Sequence, residues 1–282
     1  MPAQFAVVTD STSDIPPALA QEHRVFVTPL HVIWGGENLR DGIDISRQQF
    51  YHRLRTDPVH PSTSQPSPAD FVATFNRARE ATGTPAIIAV TISGALSGTF
   101  ASAQQAAEQV DFPVHVVDSR TTSGALGLHA LQVAADRDAG VSFAEAVTRA
   151  ESYSTRTLAM LTVDTLTYME RSGRVSGVQR RIGNILHLKP IIEVIDGQMQ
   201  LRESVRGRKR SLERLLELFG ARIDPARPLH VAVLHGDAPD VADDIAARIA
   251  ARWQPVFAMT GPGSAAVGVH TGPGAIGLTL FQ

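Results

Sequence analysis

The segment Ala86-Ile87-Ile88-Ala89-Val90-Thr91-Ile92 constrains the fold more than any other part of the chain. It is a short, nearly continuous apolar run, the mark of a strand buried on both faces. A turn rich in Ser and Gly follows, Ser93 to Thr99, then a helical stretch from Phe100 to Val110. A second apolar run, Val114 to Asp118, comes next. Strand, helix, strand in this order implies a right-handed crossover and a parallel sheet, with ligand sites at the carboxyl ends of the strands. Phe5 to Thr9 supplies another such strand, stopped at Asp10-Ser11-Thr12-Ser13-Asp14, and Pro16-Pro17 suits a first helical turn through Glu22. Val25 to Ile33 reads as a further strand region. Ser46-Arg47-Gln48-Gln49 and Ser67-Pro68-Ala69-Asp70 open helices with capping-box spacing, and Ser142-x-x-Glu145 does so again.

Past Thr155 the pattern changes. Strands at Thr157–Val163, Ile191–Ile195 and Gln198–Val205 surround Asp196-Gly197, a type I′ hairpin signal, so the second half requires a mixed sheet. Helices over Lys209–Ala221 and Val241–Arg252 flank a strand at Leu229–Leu234, and glycine-punctuated strands finish the chain, with His270 at a strand end. The expectation is a two-domain α/β protein. Residues 1–155 form a mainly parallel sheet with flanking helices, and residues 156–282 form a mixed sheet with helices. A length of 282 residues is long for one core and fits this division.

Composition narrows the function by exclusion. A formal charge of -2 gives no reason to expect nucleic acid or an acidic membrane as partner, and no apolar run reaches the ~18–20 residues of a membrane span. The segment Met1 to Asp10 turns acidic too soon for a signal peptide. With no cysteine there is neither a disulfide scaffold nor a thiolate nucleophile, which fits a cytoplasmic protein. His230 and His235 stand at odd spacing on one strand, hence on opposite faces, so no metal site is expected.

Three small polar segments carry the chemistry: Ser62-Thr63-Ser64-Gln65-Pro66 in a loop ahead of a helix, Ser93 to Thr99, and His270-Thr271-Gly272-Pro273-Gly274. They offer hydroxyls, backbone N–H groups at a helix start and one imidazole, with no carboxylate, which suits gripping an anionic head group. Ser93 to Thr99 is neither a Walker loop nor a Gly-x-Gly-x-x-Gly fingerprint. Asp10 and Asp14 read as capping residues. Arg206 to Arg210 is a basic run before a helix, a solvated face or a protein-docking patch that Arg171 and Arg174 could extend.

These segments, in order, resemble the DegV family of bacterial fatty-acid-binding proteins. The matching stretches are Val8–Asp14, Thr63–Pro66, Leu96–Thr99, Val117–Ser119, Ser172–Arg174, Leu188–Pro190, Arg206–Lys209 and His270–Gly277, spread over essentially the whole chain. The resemblance implies a lipid-binding protein, not an enzyme, that carries one long-chain fatty acid such as palmitate non-covalently between its domains, without metal or cofactor. It further implies that the carboxylate is presented to a separate fatty acid kinase for acyl phosphate formation. By the same resemblance Thr63, Ser97 and His270 bind the carboxylate, with Ser93, Gly94 and Gly98 as weaker candidates, and Arg174 and Arg206 dock the kinase. Relatives often carry two serines where this chain has Ser93-Gly94. Two other readings use the same residues: a lipid-directed serine hydrolase with Ser97, Asp118 and His270, and a carrier of another small anion. The hydrolase lacks the Gly-x-Ser-x-Gly elbow.

Overall fold

A computed structural model describes residues 4–174 and 188–282. Strand β1 (Ala6–Asp10) runs into a 3₁₀ turn, Ser11–Ser13, and helix α1 (Pro17–Glu22) returns the chain to β2 (Val25–Thr28). A small antiparallel sheet follows, with β3 (His31–Trp34), β4 (Glu37–Arg40) and β5 (Ser62–Ser64) in the order β4-β3-β5. Helix α2 (Arg47–Thr56) lies between β4 and β5, and α3 (Pro68–Thr82) leads back to β6 (Ile87–Thr91). Then come α4 (Thr99–Ala107), β7 (Val114–Asp118), α5 (Ser123–Asp138) and α6 (Phe143–Tyr153). The order β2-β1-β6-β7 is parallel throughout. Alternation explains its burial: Ala6, Val8, Ile87 and Ala89 face Phe71, Phe75 and Ala103 of α3 and α4, while Val7, Ile88 and Val90 face Leu126, Ala130 and Ala146 of α5 and α6.

The second half holds β8 (Thr157–Thr162), α7 (Thr167–Arg171), β9 (Leu188–Ile195), β10 (Gln198–Arg206) and α8 (Arg208–Gly220). It continues with β11 (His230–His235), α9 (Pro239–Trp253), β12 (Phe257–Pro262), α10 (Ala265–Thr271) and β13 (Ile276–Phe281). Its six strands lie in the order β10-β9-β8-β13-β11-β12, antiparallel except for β11 and β12, so the expected mixed sheet is present. Leu215, Phe219, Ile245 and Ile249 of α8 and α9 cover one face, against Leu158, Val231, Val233, Ile276, Leu278 and Leu280. The other face turns toward α5, and Ala232, Leu234 and Phe281 share a core with Leu126 of that helix. A Cβ at Gly124 would stand 2.7 Å from both Ala232 Cβ and Thr279 Oγ1, so glycine lets α5 approach the six-stranded sheet closely.

The hairpin turn is as read, with Asp196 at φ 51° and Gly197 at φ 78°, the left-handed pair a type I′ turn needs. Three readings change. Val25 to Ile33 is two strands in different sheets, divided at Pro29, which has no N–H to continue a ladder, and Leu30, whose N–H goes to Ser11 Oγ at 3.0 Å. Ser62–Ser64 is a short strand paired with β3, with Thr63 opposite Val32, and not a loop. Ala265 to His270 is helix, so His270 lies in a last helical turn and not at a strand end. That helix is fixed by tertiary partners that local sequence hides. Ser264 Oγ caps Val267 N–H, the Asp41 carboxylate accepts from the Ala265 and Ala266 N–H groups at 3.0 and 3.3 Å, and Ala265 and Val269 pack against Trp34 and Phe50.

Candidate functional site

The three polar segments converge, though they come from a sheet edge, a strand-to-helix turn and a helix end. Thr63 Oγ1 lies 3.0 Å from His270 Nε2. With Ser97 they line a cavity of about 200 Å³ whose wall also includes Ser64, Gln65 and Arg174. A second cavity of about 50 Å³ adjoins it, and the two share Thr122, Met199, Val267 and Thr271 as a waist. Beyond the waist stand Met160, Leu161, Val194 and Leu234. Three hydroxyls on that inner wall are turned to other partners: Ser123 donates to Asp14 Oδ2 at 2.6 Å, Thr271 to Val267 O at 3.2 Å and Thr279 to Ala232 O at 3.4 Å. What the inner chamber presents is therefore mostly carbon.

Burial drives the His270 pKa down to about 3, with help from the positive charge of Arg174 and from His60. The imidazole is neutral at physiological pH, and its buried Nδ1 has no partner among the described residues. Thr63, on the short β5 strand, reaches it because β5 pairs with β3 beside α10. Ser97 Oγ lies 2.8 Å from Thr99 Oγ1 and also accepts from the Thr99 N–H at 3.3 Å.

Buried acids brace these elements. Asp10 accepts from the N–H groups of Thr12 at 3.0 Å and Ile92 at 2.7 Å, and burial raises its pKa to about 6. Asp14 accepts from Ser264 N–H at 2.7 Å, tying the 3₁₀ turn to α10. Asp41 binds Ser11 Oγ at 2.8 Å as well as the α10 amides, and its pKa is likewise raised to about 6 by burial. Asp10 thus caps the 3₁₀ turn, as the sequence indicates, whereas the Asp14 carboxylate caps no local helix and reaches the distant Ser123 and Ser264. Asp41 carried no local signal.

Not every expected residue faces the cavity. Ser93 Oγ donates to Gly197 O at 2.8 Å, so its hydroxyl holds the hairpin tip. The Gly94 N–H is taken by the Asp118 carboxylate, 3.2 Å from each oxygen. At Gly98 the Gln65 side chain fills the space a Cβ would need. Most amides of this turn are satisfied within it or by neighbours: Ser93 N–H donates to Thr121 O, and Leu96 and Ser97 N–H both donate to Ser93 O. The turn offers the cavity a hydroxyl and not an amide nest. Arg174 forms part of the cavity wall, whereas Arg206 is exposed at the end of β10 and outside the cavity. His60, whose ring lies 5.4 Å from that of Tyr168 and whose buried Nε2 has no partner among the described residues, was not legible in the sequence.

The hydrolase geometry is absent. Asp118 serves Gly94 and Arg120 backbone N–H groups, His270 pairs with Thr63, and Ser97 pairs with Thr99. An imidazole with pKa about 3 and no carboxylate on Nδ1 is a poor general base at neutral pH. Among the described residues no cluster of His, Cys, Asp or Glu could hold a metal ion, and no helix is long and apolar enough to cross a membrane.

Comparison with known proteins follows the same lines. The family described as "Uncharacterised protein, DegV family" matches residues 4–282. A DegV domain-containing protein of Streptomyces coelicolor is 36% identical over 282 residues, covering 99% of each chain. Among solved structures, a DegV family protein of Thermus thermophilus described for its fatty acid binding superposes with a TM-score of 0.91 at 30% identity, covering 99% of each chain. A stearic acid-binding protein of Eubacterium ventriosum also gives 0.91, at 27% identity, covering 99% of this chain and 98% of that one.

Proposed function

The chain belongs to the DegV family, and from that premise we propose that it is a cytoplasmic carrier of one long-chain fatty acid. The acid lies between an N-terminal half, residues 1–155, and a C-terminal half, residues 156–282. The carboxylate is held by Thr63 and Ser97 with His270 completing the network, and the tail passes Met199 into the inner chamber. No covalent step or cofactor is required. The observation that carries this reading is the junction of a hydroxyl- and imidazole-lined cavity with a carbon-lined one through a shared waist.

Magnitudes favour a lipid over a small polar anion. A palmitate tail offers ~0.8 kcal/mol per buried methylene, about 12 kcal/mol gross before ordering costs. The polar end then needs only to orient the head and compensate its desolvation. A carboxylate arriving beside the neutral His270 favours the protonated ring, so binding draws His270 toward the imidazolium form. We further propose that the carboxyl end is offered to a separate fatty acid kinase that docks at Arg206 and forms the acyl phosphate. Mass spectrometry of organic extracts from the purified protein tests the carrier role. Myristate, palmitate or stearate is expected in near-stoichiometric yield; a tightly bound polar anion with no fatty acid overturns the reading.

A further inference from the structure

The inner chamber borders a central strand that carries glycine where a sheet normally projects a side chain. β13 is hydrogen-bonded on both sides, with Gly277 opposite Leu161 of β8 and Leu234 of β11. Glycine in a strand interior costs stability through lost packing and higher chain entropy. Its backbone does not demand glycine, since Gly277 is outside the left-handed region. Nor does close packing demand it. Among the described residues, a Cβ at Gly277 would meet nothing nearer than the carbonyl oxygens of Leu234 and Met160, both 3.9 Å away. Gly124 is the contrast, because a Cβ there collides with the facing sheet.

The two faces of β13 differ in the same sense. Ile276, Leu278 and Leu280 fill the side toward α8 and α9. Gly277 and Thr279 occupy the opposite side, Ala159 of β8 pairs with Thr279, and all three line the inner chamber. The large residues are packed, and the small ones leave space.

We propose that Gly277 is a specificity-determining residue that sets how long an acyl chain the protein accepts. The vacant volume over its Cα is where the distal methylenes of the tail lie. Any larger side chain at this position occupies that volume and shortens the accepted chain, while leaving the head-group residues untouched. This inference rests on the fatty acid reading and assigns the length preference of that same site.

The test compares the affinities of decanoate, laurate, myristate, palmitate and stearate for the wild type, Gly277→Ala and Gly277→Val. Valine suits a strand, and thermal melting checks that each variant is folded. Each methylene excluded from the chamber weakens binding about fourfold. Gly277→Val should therefore bind palmitate about ten- to a hundredfold more weakly while holding decanoate within about twofold. Gly277→Ala should show a smaller shift in the same direction, and it decides the matter if the valine variant does not fold. An unchanged ratio of palmitate to decanoate affinity in the folded variants, or an equal loss across the series, overturns the proposal and leaves the fatty acid reading standing. A wild type that binds none of these acids overturns that reading, and this proposal with it.

Discussion

Replacing Thr63 by valine isolates the head-group chemistry from the scaffold. Thr63 sits in the three-residue strand β5, paired with Val32, and its hydroxyl lies 3.0 Å from His270 Nε2. Valine keeps the β-branched shape and χ1 stiffness the strand favours and removes only the hydroxyl. Without ligand, the variant loses one hydrogen bond to a neutral ring, a cost of about 0.5–1.5 kcal/mol in stability. With ligand, the carboxylate is left short of a donor in a buried site, which costs about 1–3 kcal/mol, or roughly 5- to 150-fold in affinity. Titration calorimetry or displacement of a fluorescent fatty acid reads the affinity, and a melting curve reads the fold. The loss should be similar for palmitate and decanoate, since the head group is common to both. Unchanged palmitate affinity in Thr63→Val and in Ser97→Ala would refute the assignment of the carboxylate to this cavity.

Reversing charge with Arg206→Glu should leave palmitate affinity within about twofold and slow phosphorylation of the bound acid by the proposed kinase partner; loss of lipid binding would instead make Arg206 part of the pocket. Arg174→Ala should raise the His270 pKa, because it removes a positive charge that helps hold the ring neutral, and an NMR titration of the imidazole measures the shift. His129 is buried with its pKa lowered from 6.5 to about 4 by burial, its Nε2 lying 2.9 Å from Ala150 O. The unfolded chain therefore takes up a proton near pH 6.5 that the folded chain refuses until about pH 4. Folding stability is lost across that window as pH falls, by up to about 3 kcal/mol. Glutamine at His129 should flatten this part of the stability-pH curve, and denaturant melts at pH 7 and pH 4.5 that keep the wild-type difference would contradict the assignment.

Elements set by local chemistry were legible in the sequence. The capping boxes at Ser46 and Ser67 are both closed in the structure, and Asp196-Gly197 makes its turn, because each signal acts within a few residues. The buried strands β1, β6 and β7 followed from apolar runs flanked by helical segments. The α10 helix was not legible. Its first amides are capped by Asp41 from a distant part of the chain, and its alanines and valines satisfy strand and helix patterns equally well. Within the site, the three polar segments stood out in the sequence, and Thr63, Ser97 and His270 were singled out within them by the resemblance to the DegV family. Ser93 stood as the weaker candidate beside Ser97, and the docking of the β9–β10 hairpin gives its hydroxyl to Gly197. Gly277 stood out only as one of several glycines, since the space above it is defined by strands far apart in sequence.

A crystal structure of the protein with palmitate tests the central claim most directly. The account predicts the carboxylate within hydrogen-bond distance of the Thr63 and Ser97 hydroxyls and the His270 imidazole, with the tail passing Met199 and ending over Gly277. A carboxylate bound elsewhere, or a tail lying in a surface groove while the Met199 waist stays closed, would contradict it.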